Sequence, residues 1–394
     1  MDIELILKAY NVPSELSSMI IPLEKAKKDI LISEEEIMEN QELSKLIDGY
    51  DALFPIGLTK DYVEKRDFNY TISLKELLQN ALDEQELVIG KPEIQIDKNE
   101  LGIWIKDNGR GINIKALRMG GSDKECWMRG YYGEGLKLAS SFFILQGVPV
   151  YFFTKNIVYK FITLPLNSSN PGIYVLMGRT NLNVSGTHIL LYKYEEELNN
   201  IKKLIRFSNE ELKDKLIFEE SYPSENCPKD EPNAIFDYPD LLYIRNMYVG
   251  KTSEVTKRES LLSYDLWWVK LDVSRKIMTQ SAPLIFREVA KLLERSASAR
   301  EIYANQLIKS GMLKVKETSK GEIIEFEPIF SIFEGHLFVY SFPKGMFETF
   351  IDVLGFSDKQ ALIKKVSSDE EAFKAIDDGF IPFKIQYETF DWKG

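Results

Sequence analysis

The sequence predicts an α+β protein of more than one domain, and three observations lead there. Between residues 66 and 195, short alternating strands are joined by turns with helices between only some of them, which disfavours a doubly wound parallel sheet. The chain has 394 residues, more than one hydrophobic core usually serves. Its composition, 44% hydrophobic and 28% charged, is that of an ordinary globular protein with a sizeable core.

Residues 1–65 read as a helical, acidic N-terminal extension, in which "ISEEEIMENQELSKLI" is an exposed amphipathic helix with a solvated charge run. In "LKELLQNALDEQE", Leu74, Leu77, Leu78, Ala81 and Leu82 recur at helical spacing. Strand signals follow in "PEIQID", "LGIWIKD", "GVPVYFFT", "IVYKFITL", "GIYVLMG" and "GTHILLYKY". A charged connector from Tyr194 and a turn-rich stretch, "SYPSENCPKDEPNAIFDYPD", place a boundary near 195. A second α/β unit is expected across 196–330, with strands "LLYIRNMYVG" and "LWWVKLDVS" leading into a long helix that starts near Ser281. A small α/β segment occupies 331–394.

The formal net charge of −11 argues against a protein whose main business is gripping nucleic acid and makes nucleotides or protein partners the better expectation. Two cysteines and two histidines leave no basis for a zinc site or a disulfide framework, so any metal would be held by oxygen, as Mg²⁺ is. No stretch approaches the roughly 18 apolar residues of a membrane span, and "MDIELILKAY" lacks the basic flank of a signal peptide, which predicts a cytoplasmic protein.

Four ordered pieces carry the chemistry. Glu76, Asn80 and Asp83 stack along one side of an otherwise apolar helix. "KDNGRGI" closes a strand with Asp107, and Gly109 and Gly111 permit a backbone approach that side chains forbid. "RGYYGEGLKLASSF" runs through Gly130, Gly133 and Gly135 into a helix whose unpaired N–H groups suit an anion. "VSGTHILLY" puts Thr187 at the start of a strand expected beside the first.

Their order and spacing resemble the GHKL ATPase superfamily, which includes type II topoisomerase ATPase domains, mismatch-repair clamps, ninety-kilodalton heat-shock chaperones and histidine kinases. The resemblance implies a Bergerat-type α/β sandwich at 66–195 that binds ATP and Mg²⁺. It implies Glu76 as general base and Asn80 as Mg²⁺ ligand, with Asp83 on the same polar face. Asp107 would accept the adenine amino group, with Gly111, Ile112 and Thr187 beside the base. Gly133, Gly135, Leu136 and the helix start would cradle phosphates, with Lys124 and Lys137 as cations within reach and residues 113–134 as a mobile lid. The "DNGRGI" form resembles the topoisomerase version, in which Gly109 and Arg110 follow the aspartate and Arg110 pairs with Glu84 over the adenine.

The second domain resembles the chaperones' middle segment, where a strand ends in Ser-Arg before a loop and a long helix. Arg275 takes the place of the arginine that reaches the γ-phosphate. The resemblance implies an ATP-hydrolysing conformational switch acting on a protein partner, with an ATP-dependent homodimer as a further possibility. A nucleic-acid clamp and an ATP-binding scaffold with negligible turnover are the alternatives.

Overall fold

The computed structural model describes residues 2–30, 32–90, 94–121, 133–165, 170–220 and 233–256, shorter stretches and single positions between 260 and 302, and the backbone of 313–318, 321–326, 332–333 and 336–337. The architecture is α+β. The described residues divide into two compact units, one ending at Glu210 and the next beginning at Glu211.

The first unit opens with α1 (Ile3–Ala9), a two-residue strand β1 (Ile21–Pro22), α2 (Leu23–Asp29) and α3 (Glu34–Ile37). Ser33 and Glu36 form a capping box at the start of α3. Strand β2 (Ile47–Thr59) follows, then α4 (Lys60–Glu64) and the long α5 (Tyr70–Ile89). Next come β3 (Gln95–Asn99), β4 (Gly102–Lys106), α6 (Ile114–Leu117), α7 (Gly135–Leu145), β5 (Val150–Leu164), β6 (Gly172–Tyr192) and α8 (Leu198–Lys202).

Six strands make one antiparallel sheet around the 21-residue β6. Along β6, β2 pairs with residues 172–180 and β4 with residues 188–192, while β5 pairs with it over almost its whole length. Side chains alternate across this sheet. On one face, Leu53, Ile162, Tyr174 and Leu176 pack with Ala26 and Ile32 of the N-terminal segment, and Trp104, Tyr151, Phe153 and Leu190 pack with Leu43. Helices α5 and α7 pack against each other, α5 also against β4 and α7 also against β5.

The N-terminal segment is pinned by charge as well as by apolar contact. The Glu39 carboxylate accepts from Tyr50 Oη at 2.6 Å, Lys160 Nζ at 3.0 Å and Tyr151 Oη at 2.9 Å. The Glu39 and Lys160 side chains are only 8% and 9% exposed, so each charge has its partner in place of water. Burial, and then the Glu39 charge, push both tyrosine hydroxyls well above their ordinary pKa.

Two sequence expectations are corrected. Residues 1–65 are not helical throughout, because 47–59 form an internal strand of the sheet. Its register shifts at three places, between Ile47 and Gly49, Tyr50 and Ala52, and Pro55 and Leu58, which breaks the two-residue period that announces a strand. The expected single strand 241–250 is instead a hairpin turning at Arg245 and Asn246, both at positive φ.

That hairpin belongs to the second unit, whose five-stranded sheet contains β7 (Leu216–Glu219), β8 (Ala234–Phe236), β9 (Leu241–Ile244), β10 (Met247–Lys251) and β11 (Ser263–Leu266), in the order β10-β9-β11-β8-β7. Strand β11 runs parallel to β9 and antiparallel to β8. Both Asp265 carboxylate oxygens accept the Asn246 amide, at 3.0 and 3.1 Å, which holds the hairpin turn. Helix α9 (Thr252–Thr256) follows β10. Within the expected long helix, positions 289, 292, 295, 298–299 and 302 are helical, and Leu292 and Ala299 join the core of this sheet. Further on, β12 (Leu313–Thr318) pairs with β13 (Gly321–Phe326), and β14 (Ile332–Phe333) with β15 (His336–Leu337).

His188, half-buried in β6 opposite Phe153 and Lys106, has its pKa lowered to about 4 by burial and then by the Lys106 ammonium, with Asp97 opposing. It is therefore neutral when folded, whereas the unfolded chain takes up a proton below about pH 6.5. Stability from this source should fall as pH drops from about 6.5 towards 4. Urea unfolding at pH 7 and pH 5 should show a smaller loss in His188→Gln than in the unsubstituted protein.

Candidate functional site

The polar stripe on α5 is held by a helix with clear ends. Asn69 Oδ1 caps the Ile72 amide at 2.9 Å, and Gly90 terminates the helix at φ 75°. Leu74, Leu77, Leu78, Ala81 and Leu82 are buried. Asn80 and Glu84, four residues apart, form the stripe that faces a cleft open to solvent. The cleft is bounded by α5, the chain after β4, the start of α7, and Phe152, Thr187 and Ile189 of the sheet.

Asp107 is the best-fixed group at this cleft. It is 4% exposed, and its Oδ1 accepts the amides of Gly109 at 2.8 Å and Thr187 at 3.1 Å. The Asp107 amide donates to Thr187 O at 3.0 Å, which extends the β4–β6 pairing by one step. Three glycines permit the arrangement. A Cβ on Gly109 would lie 2.5 Å from Glu84 Cβ, one on Gly111 would lie 2.4 Å from Thr154 Oγ1, and one on Gly186 would lie 2.2 Å from the Asp107 carbonyl oxygen. The carboxylate is thus fixed beside the apolar Ala81, Ile112, Leu136, Phe152 and Ile189, in a cleft that Asn80, Glu84 and Lys137 also line. Such a group can accept a hydrogen bond from a planar, amino-bearing ligand.

The expected Glu84–Arg110 ion pair is present and two-pronged, with Nη2 to Oε1 at 2.7 Å and Nε to Oε2 at 3.1 Å. Arg110 is itself exposed and does not line the cleft, whereas Glu84 does. Asn80 Nδ2 donates to Glu76 O at 2.8 Å, so the amide nitrogen is turned back on the helix. Its oxygen is a hard ligand of the kind Mg²⁺ takes, alongside phosphates and water. Among the described residues no group of three or more acidic, histidine or cysteine side chains could hold a metal. A Mg²⁺ that draws most of its ligands from a bound polyphosphate fits that donor set.

Other expected site residues lie apart from the cleft surface. Glu76 is 4% exposed and rests against the start of α7, so closely that a Cβ on Gly135 would come 1.8 Å from its Oε2. Neither Glu76 nor Gly135 lines the cleft in this conformation. Asp83 is wholly buried and also does not line it. A residue advances the helix by about 100°, so Asp83 turns inward where Glu84 faces out. Gly133 and Lys137 do line the cleft, with Lys137 only 1% exposed. Lys124, Gly130 and Arg275, and the middle of the expected lid 113–134, at 122–132, lie outside the described residues.

Sequence reasoning missed Thr154, whose Oγ1 donates to Gly186 O at 2.9 Å, and Gln85, whose Oε1 accepts the Asn108 amide at 2.8 Å. A threonine ending "VYFF" and a glutamine inside an apolar helix were the available signals. No protein-family model matches the chain, and no curated protein matches it significantly in sequence.

The contact between Gly186 and Asp107 yields a direct test. Gly186 and Gly90 share φ +75°, but an added Cβ meets Asp107 at the first and nothing within 4 Å at the second. Gly90→Ala should cost about 1 kcal/mol, from the backbone conformation alone. Gly186→Ala should cost about 3 kcal/mol or more, because Asp107 must also move. Equilibrium urea unfolding of the two variants measures the difference.

Proposed function

We propose that the protein is a Mg²⁺-dependent ATP-binding and ATP-hydrolysing conformational switch of the GHKL type, with a Bergerat-type nucleotide domain, acting on a protein partner. The observation that carries this reading is the buried Asp107 carboxylate, held by the Gly109 and Thr187 amides in a cleft shared with Asn80. A fixed acceptor in an apolar wall selects a base bearing an exocyclic amino group, and adenine presents one. Thr187 and Gly111 border the same wall, and Glu84, paired with Arg110 outside the cleft, lines it as well.

In this reading Asn80 would hold a Mg²⁺ through its amide oxygen, and the metal would neutralise phosphate charge. The phosphates lie along the backbone of Gly133 and the start of α7. Glu76 serves as the base that takes a proton from the attacking water. By the resemblance to the chaperones, Arg275, which lies outside the described residues, would supply positive charge to the transferring phosphoryl group and so link turnover to a change of shape. The shape change does work only if a partner prefers one of the two states.

Calorimetry with ATP and ADP, beside a turnover assay with and without DNA, tests the reading. Asp107→Asn should abolish binding of both nucleotides, since the amide replaces an acceptor with a donor in a buried wall. Glu76→Ala should bind ATP within several-fold of the unsubstituted protein while turnover disappears. Unchanged affinity in the first variant, or unchanged turnover in the second, removes that residue from its role. Strong DNA stimulation of turnover would redirect the reading to a nucleic-acid clamp.

A further inference from the structure

Lys137 is in the first turn of α7, and lysines in such places ordinarily reach for solvent or for an anion. Here the side chain turns inward and is 1% exposed. Its ammonium donates to the main-chain oxygen of Gly121 at 2.7 Å and to that of Gly133. These are the two residues that flank 122–132, and both line the cleft together with Lys137.

Each end is anchored in its own right. The Gly121 amide donates to Arg118 O at 2.9 Å, and a Cβ there would lie 2.1 Å from Lys115 O, so Gly121 is packed onto the end of α6. Met119 N donates to Ile56 O at 2.9 Å, which fastens that end to β2. Gly133, at φ 66°, leads directly into α7. The ammonium therefore joins the chain leaving α6 to the chain entering α7, two strands of backbone that share no secondary structure. A buried ammonium must be met by acceptors, and carbonyl oxygens drawn to it are fixed more firmly than neutral hydrogen bonding would fix them.

We propose that Lys137 is a positioning residue, which sets the spacing and orientation of the Gly121 and Gly133 backbone so that the cleft is shaped for the phosphate groups of a nucleotide. It acts through main-chain carbonyls and not by touching phosphate. The proposal rests on the nucleotide reading above for the identity of the ligand, but the tie itself is independent of that reading.

The test uses the full chain with Lys137→Met, which keeps length and volume without donors, and Lys137→Arg, whose several N–H groups can still serve two carbonyls. Hydrogen exchange is followed without ligand, and adenosine, ADP and a non-hydrolysable ATP analogue are titrated by calorimetry. In Lys137→Met, amides at 119–121 and 133–138 should exchange several-fold faster, with the rest of the first unit unchanged. ADP and the ATP analogue should bind about 10-fold or more weakly while adenosine stays within about 3-fold, the scale expected for losing charge-assisted hydrogen bonds. Lys137→Arg should recover most of both properties.

Unchanged exchange in Lys137→Met, with the phosphate-bearing ligands nonetheless weakened, would make Lys137 a direct phosphate ligand and overturn the proposal. Equal loss of adenosine and ADP would overturn it too, because the effect would then be a general loosening. If Lys137→Met does not fold, Lys137→Gln, which retains one donor group, takes its place under the same criteria. If the unsubstituted protein binds none of the three ligands, the nucleotide reading fails, and the exchange comparison still decides the tie.

Discussion

The site depends on one junction, where the end of β4 meets β6. Asp107 Oδ1 accepts two amides, one from its own turn at Gly109 and one across the sheet at Thr187. That oxygen joins the loop, the long central strand and the helix behind them, since Gly109 can sit against Glu84 only without a side chain. Thr154, one strand further on, bonds the carbonyl of Gly186 and so steadies the residue that gives Asp107 its room. A carboxylate fixed this way pays little to reorganise around a ligand, which is the property a selective site needs.

Much of this was legible from sequence where the physics is local. The apolar spacing of α5 is chain-local, as is the Asp-Asn-Gly turn after β4. The Glu84–Arg110 pair, between residues far apart in sequence, was expected from resemblance to a known family and is present. Strand β2 was not legible, because Gly49, Pro55 and Gly57 are turn and breaker signals and its register shifts remove the alternation. The hairpin at Arg245 and Asn246 was missed because an Arg-Asn pair is not the usual turn signature, and Asp265, which secures it, is distant in sequence.

The burial of side chains usually found outside was the hardest feature to foresee. Lys137 and Lys160 each find acceptors that only the folded chain brings together. Periodicity identifies which face of a helix or strand is apolar, but not that a lysine in it will be received by two carbonyls or by a buried carboxylate. Asp83 and Glu84 illustrate the same limit, since adjacent acids on one helix end in opposite environments.

The inclusion of β2 in the main sheet changes what counts as the smallest intact piece of this protein. A fragment begun at residue 66 would retain the motifs yet expose the edge of β6 from Gly172 to Thr180 and leave Lys160 without Glu39. It would also bare the sheet face formed by Ile162, Leu164, Tyr174 and Leu176. An unpaired edge beside an apolar face is a template for joining other chains. The first 59 residues are thus integral to the first unit, and dissection of the molecule has to keep them.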